Sequence, residues 1–591
     1  MTAWTNSIGA GGSHPSKATA PKSGKPKAKH RAAARGVERR LDSSRAEAPS
    51  DHPSRGIAGR PASRPRRAAP ALEPGRSRRW FGPSALAALA IVASLVVSAD
   101  PARAASGKLK LTVVDRDTGQ MIPCRLHLRD AQQRPRKVSG AIQWADHAVI
   151  DGAVVLELPP GEYRFEMERG PEYLRREGHF TINPFADDAK QVDMKRFFDM
   201  TSQGWWSGDL DVRRDPSQLE RLMAAEDLHV AGVVTWGVRG DHDVKQSAGQ
   251  ASPAEPGARF DGGRLCDLRV GLMRWPGNEL LLIRAHEPKH FPPEDQFPIL
   301  SQTVAAWRRD GGAWIDLTRP TWQDLPVLVA LGAVDSIELA PAQLERGAVA
   351  DSDSGGRPRD KSRFPGPLGV GQWAHHVYFQ LLEAGLRIPP SAGSGSGASP
   401  NPVGYNRVYV RLDSALTEAA WWEGLKAGRV VVTNGPLLVP SVHGQPPGYV
   451  FEAPEGTVVD LEIALTLSSR DPISYLEIIK DGRVERSIRF DEYAKTGRLP
   501  KVVFDRSGWF LLRVVTDLSK TYRFAMTGPY YVEIGGQRRV SRRAVEFFIE
   551  WIYQRADALR RLDPPPPRAV FEDWRTALLF WKNLLEQANA E

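Results

Sequence analysis

Apolar and polar positions alternate along residues 107–195, the period of half-buried strands. Lys108–Val114, Cys124–Leu128 and Val154–Leu158 each read as a strand, and Pro159-Pro160-Gly161 turns the chain into a fourth, Tyr163–Met167. Short strands with Gly/Pro punctuation predict a small β-sandwich over 105–197. From about Gly204 to Asn434 the period changes. His229–Trp236, Ala313–Thr318, Ser336–Ala340, Asn406–Leu412 and Arg429–Asn434 read as strands. Between them lie helical patterns led by Leu219/Leu222/Met223 and Leu300/Val304/Trp307, with others at Asp324–Ala333, His375–Ala384 and Leu416–Ala427. Asp215-Pro216 predicts a capped helix start, because Asp can accept an orphan N–H and Pro needs none. Strand and helix alternation predicts a parallel α/β sheet or barrel over 198–435, with its working groups just past the strand C-termini. Segments 240–270 and 343–372 are Gly/Pro-rich and read as long loops over that face. Strand periods return at Val458–Leu465 and Trp509–Thr516, predicting a second sandwich over 436–537. Two helices follow in 538–591, one with a Val545/Phe548/Ile549/Ile552 stripe that calls for packing on the preceding domain.

Charge changes this picture only at the start. The chain of 591 residues carries a net +10, but residues 1–79 hold 18 Lys/Arg against 5 Asp/Glu, so the remainder is slightly acidic at −3. Nucleic-acid binding by the folded part has no compositional support. Residues 1–79 lack apolar periodicity and are expected to be a disordered basic region. Ser77-Arg78-Arg79-Trp80-Phe81, an uncharged run to Ala99, and Ala102-Arg103-Ala104 form a leader over 80–104, with a cleavage point before Ala105. The order S-R-R-x-F resembles a twin-arginine export signal. Retained, residues 80–99 are just long enough to anchor in a bilayer. Each reading puts the folded part outside the cytoplasm, in the periplasm, the envelope or the medium. The two cysteines, Cys124 and Cys266, form no C-x-x-C motif and fall in different predicted domains, so buried free thiols are expected.

The candidate chemistry sits at strand ends: Asp209, Asp211 and Arg213; Thr235 and Trp236; His286 and Glu287; Asp316 and Thr318; Glu338; Asn434. Each has an ordinary alternative. Asp209 can bond a neighbouring loop backbone, and Arg213 can pair with Asp211, because positions two apart on a strand share a face. A hydrolytic metal site wants several His/Asp/Glu ligands and an open position. Among the strand ends only His286 supplies an imidazole. Asp241-His242-Asp243 reads as a solvated loop, and His375-His376 as neighbours on different helix faces. Ser391–Ser399 is a flexible linker or a tight loop over the active face. Neither a G-x-S-x-G elbow nor a phosphate loop is present.

Three runs combine into a resemblance: G-W-W-S-G-D-L-D-V at 204–212, G-L-R-I-P-P-S-A-G-S-G-S-G at 385–397 and A-G-R-V-V-V-T-N-G-P-L-L at 427–438. With the flanking sandwiches they resemble CehA/McbA-type metallohydrolases of the PHP (polymerase and histidinol phosphatase) superfamily, over most of 105–540. The resemblance implies a distorted (β/α)7 barrel holding two or three divalent metals that activate water against phosphoesters or related bonds. Carried over residue by residue, it is largely negative. The first motif, G-D-x-H-x-H, matches at Gly208 and Asp209 but has Asp211 and Arg213 at the histidine positions. Arginine has no lone pair to give a metal. The T-D-H motif reads Thr235-Trp236-Gly237. The G-S-D-x-H motif falls on Gly393–Gly397 with glycine at both ligand positions, and a G-x-E motif falls on Gly271-Leu272-Met273 without its carboxylate.

These substitutions predict a non-catalytic binding protein on that scaffold. Its small anionic or carbohydrate ligand would meet Trp205, Trp206, Trp236, Arg213, Arg239 and Asn434 through stacking and bidentate contacts. The alternative is a hydrolase with a rebuilt site, one Zn, Mn or Fe ion held by Asp209, Asp211, His286 and Asp316. A third reading is a scaffold protein whose sandwiches bind a partner.

Overall fold

The computed structural model describes residues 106–237, 263–285, 296–309, 312–352 and 355–591, and the backbone alone at 4–7 and 258–260. The fold is mixed α/β and rich in sheet. His286, Glu287, Arg239, the 241–243 cluster and the leader lie outside the described residues. Among those described, no helix is long and apolar enough to cross a membrane.

The first region pairs strands as the alternation predicts. Gly107–Asp115 runs between Ala153–Leu158 and Asp187–Met194 in one sheet. Cys124–Asp130, Gly161–Glu168 and Arg176–Ile182 form a second with the hairpin Ile142–Trp144/His147–Ile150, and Trp4–Ser7 adds to the Arg176–Ile182 edge. The two sheets share a core of Leu109, Leu111, Leu126, Leu128, Tyr163, Phe165 and Phe180. Cys124 lies in that core, and both cysteines are free and buried, as expected. Burial pushes each thiol up to about 12, so neither offers a reactive thiolate.

The central region is a continuous sheet in the order Pro390–Ala392, Ser336–Ala340, Trp314–Leu317, Asn278–Ile283, Arg264–Trp275, Val230–Gly237 and Trp205–Val212. Two expectations need correction. The ladder does not close into a barrel among the described residues; its ends meet through one isolated bridge, Val212 to Ser396. Nor is it wholly parallel, because Arg264–Trp275 and Asn278–Ile283 form an antiparallel hairpin that also pairs antiparallel with Trp314–Leu317. Part of this hairpin falls in the segment expected to be loop. Its turn, Trp275-Pro276-Gly277-Asn278, puts glycine at φ 86°, a backbone state that favours glycine.

Past Trp205–Val212 the same sheet runs on through Arg407–Arg411, Val430–Thr433, Phe524–Thr527, Gly508–Val515 and Tyr475–Lys480. The predicted boundary near 435 is therefore crossed by hydrogen-bonded strands. The last helices, Arg542–Arg560 and Arg568–Glu586, bury Val545, Phe548, Ile552 and Trp581. They anchor on the central region through indole N–H donors: Trp551 to the Gln323 carbonyl and Trp581 to the Pro326 carbonyl.

Candidate functional site

The three resembling runs meet at one place. Trp205–Val212 ends beside the loop that follows Pro390–Ala392: the Gly395 N–H donates to the Asp211 carbonyl at 2.8 Å and the Arg213 N–H to the Ser396 carbonyl at 2.7 Å. So the run Ser391–Ser399 is the tight loop, not a linker. Its glycines are required by contact. A Cβ on Gly393 would fall 2.2 Å from Glu338 Oε1 and 2.6 Å from Asp211 Cβ; one on Gly397 would fall 2.0 Å from the Arg213 carbonyl. Side chains at these positions would have to displace what is now packed there.

Arg213 fills the centre. Its Nε and Nη2 donate to the two oxygens of Asp211 at 2.7 and 2.8 Å, and Nη2 also reaches Glu279 at 2.9 Å. This bidentate fork is the strongest geometry available to an arginine–carboxylate pair. Burial works against the charge of Arg213, but Asp211 and Glu279 overcome it and hold its pKa well above the ordinary value. Burial also opposes ionisation of Glu279; Arg213 and then Arg274 reverse that and draw the carboxyl down to about 2. Glu279 is the residue that sequence reading missed. It lies on the unexpected hairpin strand, where Asn278-Glu279-Leu280 begins directly after a Pro-Gly turn. That turn was the available signal.

Around this ion pair lie acids with no cation of their own. Asp209 accepts the Ser394 N–H at 2.9 Å, the Gly404 N–H at 2.7 Å and the Asp211 N–H at 3.2 Å. Those donors favour the charged form, yet burial outweighs them and pushes the carboxyl up to about 7. Asp316, also raised by burial to about 7, accepts the hydroxyls of Ser336 and Ser391 on Oδ1. Glu338 is raised well above the carboxylate range, first by burial and then by the charges of Asp316, Asp211 and Asp209. Glu338, which keeps its proton, hydrogen-bonds Asp316, so the two buried carboxyls satisfy one another.

The structure thus brings Asp209, Asp211, Arg213 and Asp316 together and adds Glu279 and Glu338. It does not expose them: Asp209, Asp211, Asp316 and Glu338 are each at most 1 % accessible. The proposed ligand-stacking residues are occupied as well. Trp205 is in the core. Trp206 sets its ring edge-on to His229 at 5.0 Å, and Trp236 lies over Gly271, whose missing side chain makes the room. The Asn434 amide donates to the Tyr522 carbonyl and accepts the Phe524 N–H, a buried backbone clamp. His375 packs on Phe524 and His376 on Trp373, on different faces as expected. A PHP-type metal cluster does not fit here, because a guanidinium stands among the acids and two ligand positions are glycines against which side chains would clash.

One group of donors elsewhere has metal-ligand spacing: His127, Asp146 and His147, with ligand atoms within 4.8 Å of one another. Its hydrogen bonds argue against an ion. Arg125 Nε donates to His127 Nε2 at 3.1 Å, and the other two nitrogens of Arg125 are tied to Glu226 and Glu168. The lone pair of His127 is therefore on Nε2 and its proton on Nδ1, 3.3 Å from Asp146 Oδ1. Arg129 takes Asp146 Oδ2 at 2.7 Å. Burial lowers both histidines, His147 to about 3, so they are neutral near pH 7.

No family model matches the chain, and no curated protein matches it. Among solved structures, the Bacillus anthracis TIE protein is similar over 19% of this chain and 20% of its own length, at 18% identity and a TM-score of 0.13, too slight a likeness to carry an argument about fold or function.

Proposed function

We propose that this chain is an exported, non-catalytic binding protein on a CehA/McbA-like PHP scaffold: a distorted (β/α)7-type arrangement between two sandwiches, whose former metal centre has become a structural ion pair. The observation that carries the reading is Arg213, buried and bonded to both Asp211 and Glu279 where that family's first motif would present a histidine. A guanidinium supplies fixed positive charge without an ion, and it can neither polarise a substrate oxygen as a Lewis acid nor bind a hydroxide as a nucleophile. The test is metal analysis of the purified full chain. Substoichiometric Zn, Mn and Fe are expected; one tightly bound equivalent overturns the reading. Export is tested separately by the N-terminus of the mature protein, expected at Ala105.

A second reading keeps one specific observation. Asp316 and Glu338 are buried carboxyls side by side, Glu338 donating a retained proton to Asp316, and a single divalent ion could take the place of that proton. With Asp209 and Asp211 the two carboxyls would form a rebuilt hydrolytic site. Metal-dependent turnover of a generic phosphodiester, lost in Asp211→Ala, would establish it.

A further inference from the structure

The second sheet of the first region carries an unusual polar face. Its inner side holds Leu126, Leu128, Tyr163, Phe165 and Phe180, so Arg125, His127 and Arg129, then Arg164, Glu166 and Glu168, then Glu177 and His179, project from the other side. The register aligns them in rows. Arg125 lies opposite Glu168. His127, Glu166 and Glu177 are directly opposite in turn, as are Arg129, Arg164 and His179. The first row is covered by the central region, where Glu226 also meets Arg125. The other two rows open into a pocket of about 380 Å³, with Arg346 on its rim.

Those rows oppose like charges, Arg129 with Arg164 and Glu166 with Glu177, an arrangement that costs stability in a sheet. Several members are neutralised from outside the sheet. Arg129 is paired with Asp146, and Arg346 reaches both Glu166 and Glu168. What remains at the mouth is Arg164 and Glu177, both exposed and without a hydrogen bond or ion pair among the described residues. They stand on neighbouring strands and diagonal to one another, so one positive and one negative group face the same cavity.

The geometry points to a binding site for a small zwitterion: a carboxylate or equivalent anion held by Arg164 beside Arg129, and an ammonium held by Glu177. A bidentate fork suits the anion, and the pocket volume is that of a small-molecule site. Rows two residues apart along a strand are separated by about 7 Å, which favours ω-amino carboxylates of about four to six carbons over glycine. This site lies apart from Arg213, so the inference stands or falls independently of the metal analysis.

The probes are glycine, 4-aminobutyrate and 6-aminohexanoate, with butyrate and butylamine as single-charge controls, titrated calorimetrically into the full chain. Saturable binding of 4-aminobutyrate or 6-aminohexanoate is expected, weakened at least about tenfold by Arg164→Ala and by Glu177→Gln, each worth one charge-assisted contact. Both positions are exposed, and an unchanged melting temperature confirms that the variants fold. Absence of saturable binding by all the zwitterions overturns the inference. So does binding that neither substitution weakens, or butyrate binding as tightly as 6-aminohexanoate.

Discussion

Two buried charge clusters in this molecule are built on opposite terms. At the junction of the first and central regions, arginines match the carboxylates: Arg125 meets Glu168 and Glu226, Arg346 meets Glu166 and Glu168, Arg196 meets Glu172 and Asp227, and Arg169 and Arg264 meet Asp227. At the strand ends around Asp211, carboxylates are in excess. Asp211 and Glu279 share Arg213, with Arg274 reaching Glu279 alone, while Asp209, Asp316 and Glu338 have no arginine bonded to them among the described residues. A buried charge is tolerated when paired, or else it neutralises. The junction solves the problem chiefly by pairing, with Glu166 and Glu172 keeping protons up to about pH 7; the strand ends rely more on holding protons. Matched pairing is what a fixed interface needs, whereas surplus buried acid has to keep protons or find another cation.

The largest effect expected from breaking this contrast is at the junction. Arg125→Ala leaves Glu226 buried without its ion-pair partner, leaves Glu168 to Arg346 alone among its close partners, and removes the donor to His127, which should cost about 3–5 kcal/mol by denaturant titration. A loss below about 1 kcal/mol would mean that water reaches the junction. Arg213→Ala should cost less, about 2–4 kcal/mol at pH 8, since the acids it leaves can take up protons. The cost should shrink at pH 5, and millimolar Mn²⁺ should recover part of the lost stability at pH 8. A loss that does not change with pH would show that Arg213 acts through packing and not charge.

The pH dependence of the unaltered protein separates the clusters further. Asp209 and Asp316 titrate near 7 when folded, above their unfolded values, so between about pH 4 and 7 the folded state binds more protons than the unfolded one. Stability contributed this way is present at low pH and is lost as pH rises through 7. Glu166 and Glu172, both raised to about 7 chiefly by burial, add to the same slope from the junction. Glu279 works in the opposite sense: held at about 2, it contributes stability that is lost as pH falls below about 4. Unfolding free energy should therefore peak on the acid side and decline toward pH 8. Asp316→Asn apportions the slope, and, as one of four carboxyls raised alike, it should flatten the decline by roughly a quarter. An unchanged profile would place the whole effect at the junction.

How much of this was legible follows from the range of the interactions. Strand Ser336–Ala340 and helices Leu300–Arg308 and Glu418–Lys426 fall where the local period put them, because periodicity is a property of neighbours. The convergence of Asp211 with Gly393–Gly397 was legible from motif order, and contacts confirm it. Arg213 pairing with Asp211 was legible from strand geometry alone. Glu279 was not, since its hairpin interrupts a sheet expected to be parallel. The junction was not either: Arg125 meets residues 43 and 101 positions away, and an arginine in an alternating strand looks solvent-facing until its partner sheet is known. The openness of the strand-end site was misjudged for a related reason. Tryptophans beside glycines signal stacking, but Trp236 stacks on the protein itself.

The smallest effect probes why the polar sheet face is held as it is. Trp144 pairs with His147 across a two-residue turn, and Ala145 occupies its first central position at φ 46°. Positive φ there is the habit of a II′ turn, which takes glycine, so alanine carries backbone strain. That turn delivers Asp146 to His127 and Arg129, and by neutralising Arg129 it leaves Arg164 as the unpaired cation of the pocket. Ala145→Gly relieves the strain but frees the unfolded chain, two terms of similar size, so the gain should not exceed about 1 kcal/mol. If Asp146 is held mainly by its own ion pairs, zwitterion binding is unchanged in this variant. If the strained turn is what positions it, Arg129 is released and butyrate binding rises relative to 6-aminohexanoate, a shift in selectivity visible even where the melting temperature does not move.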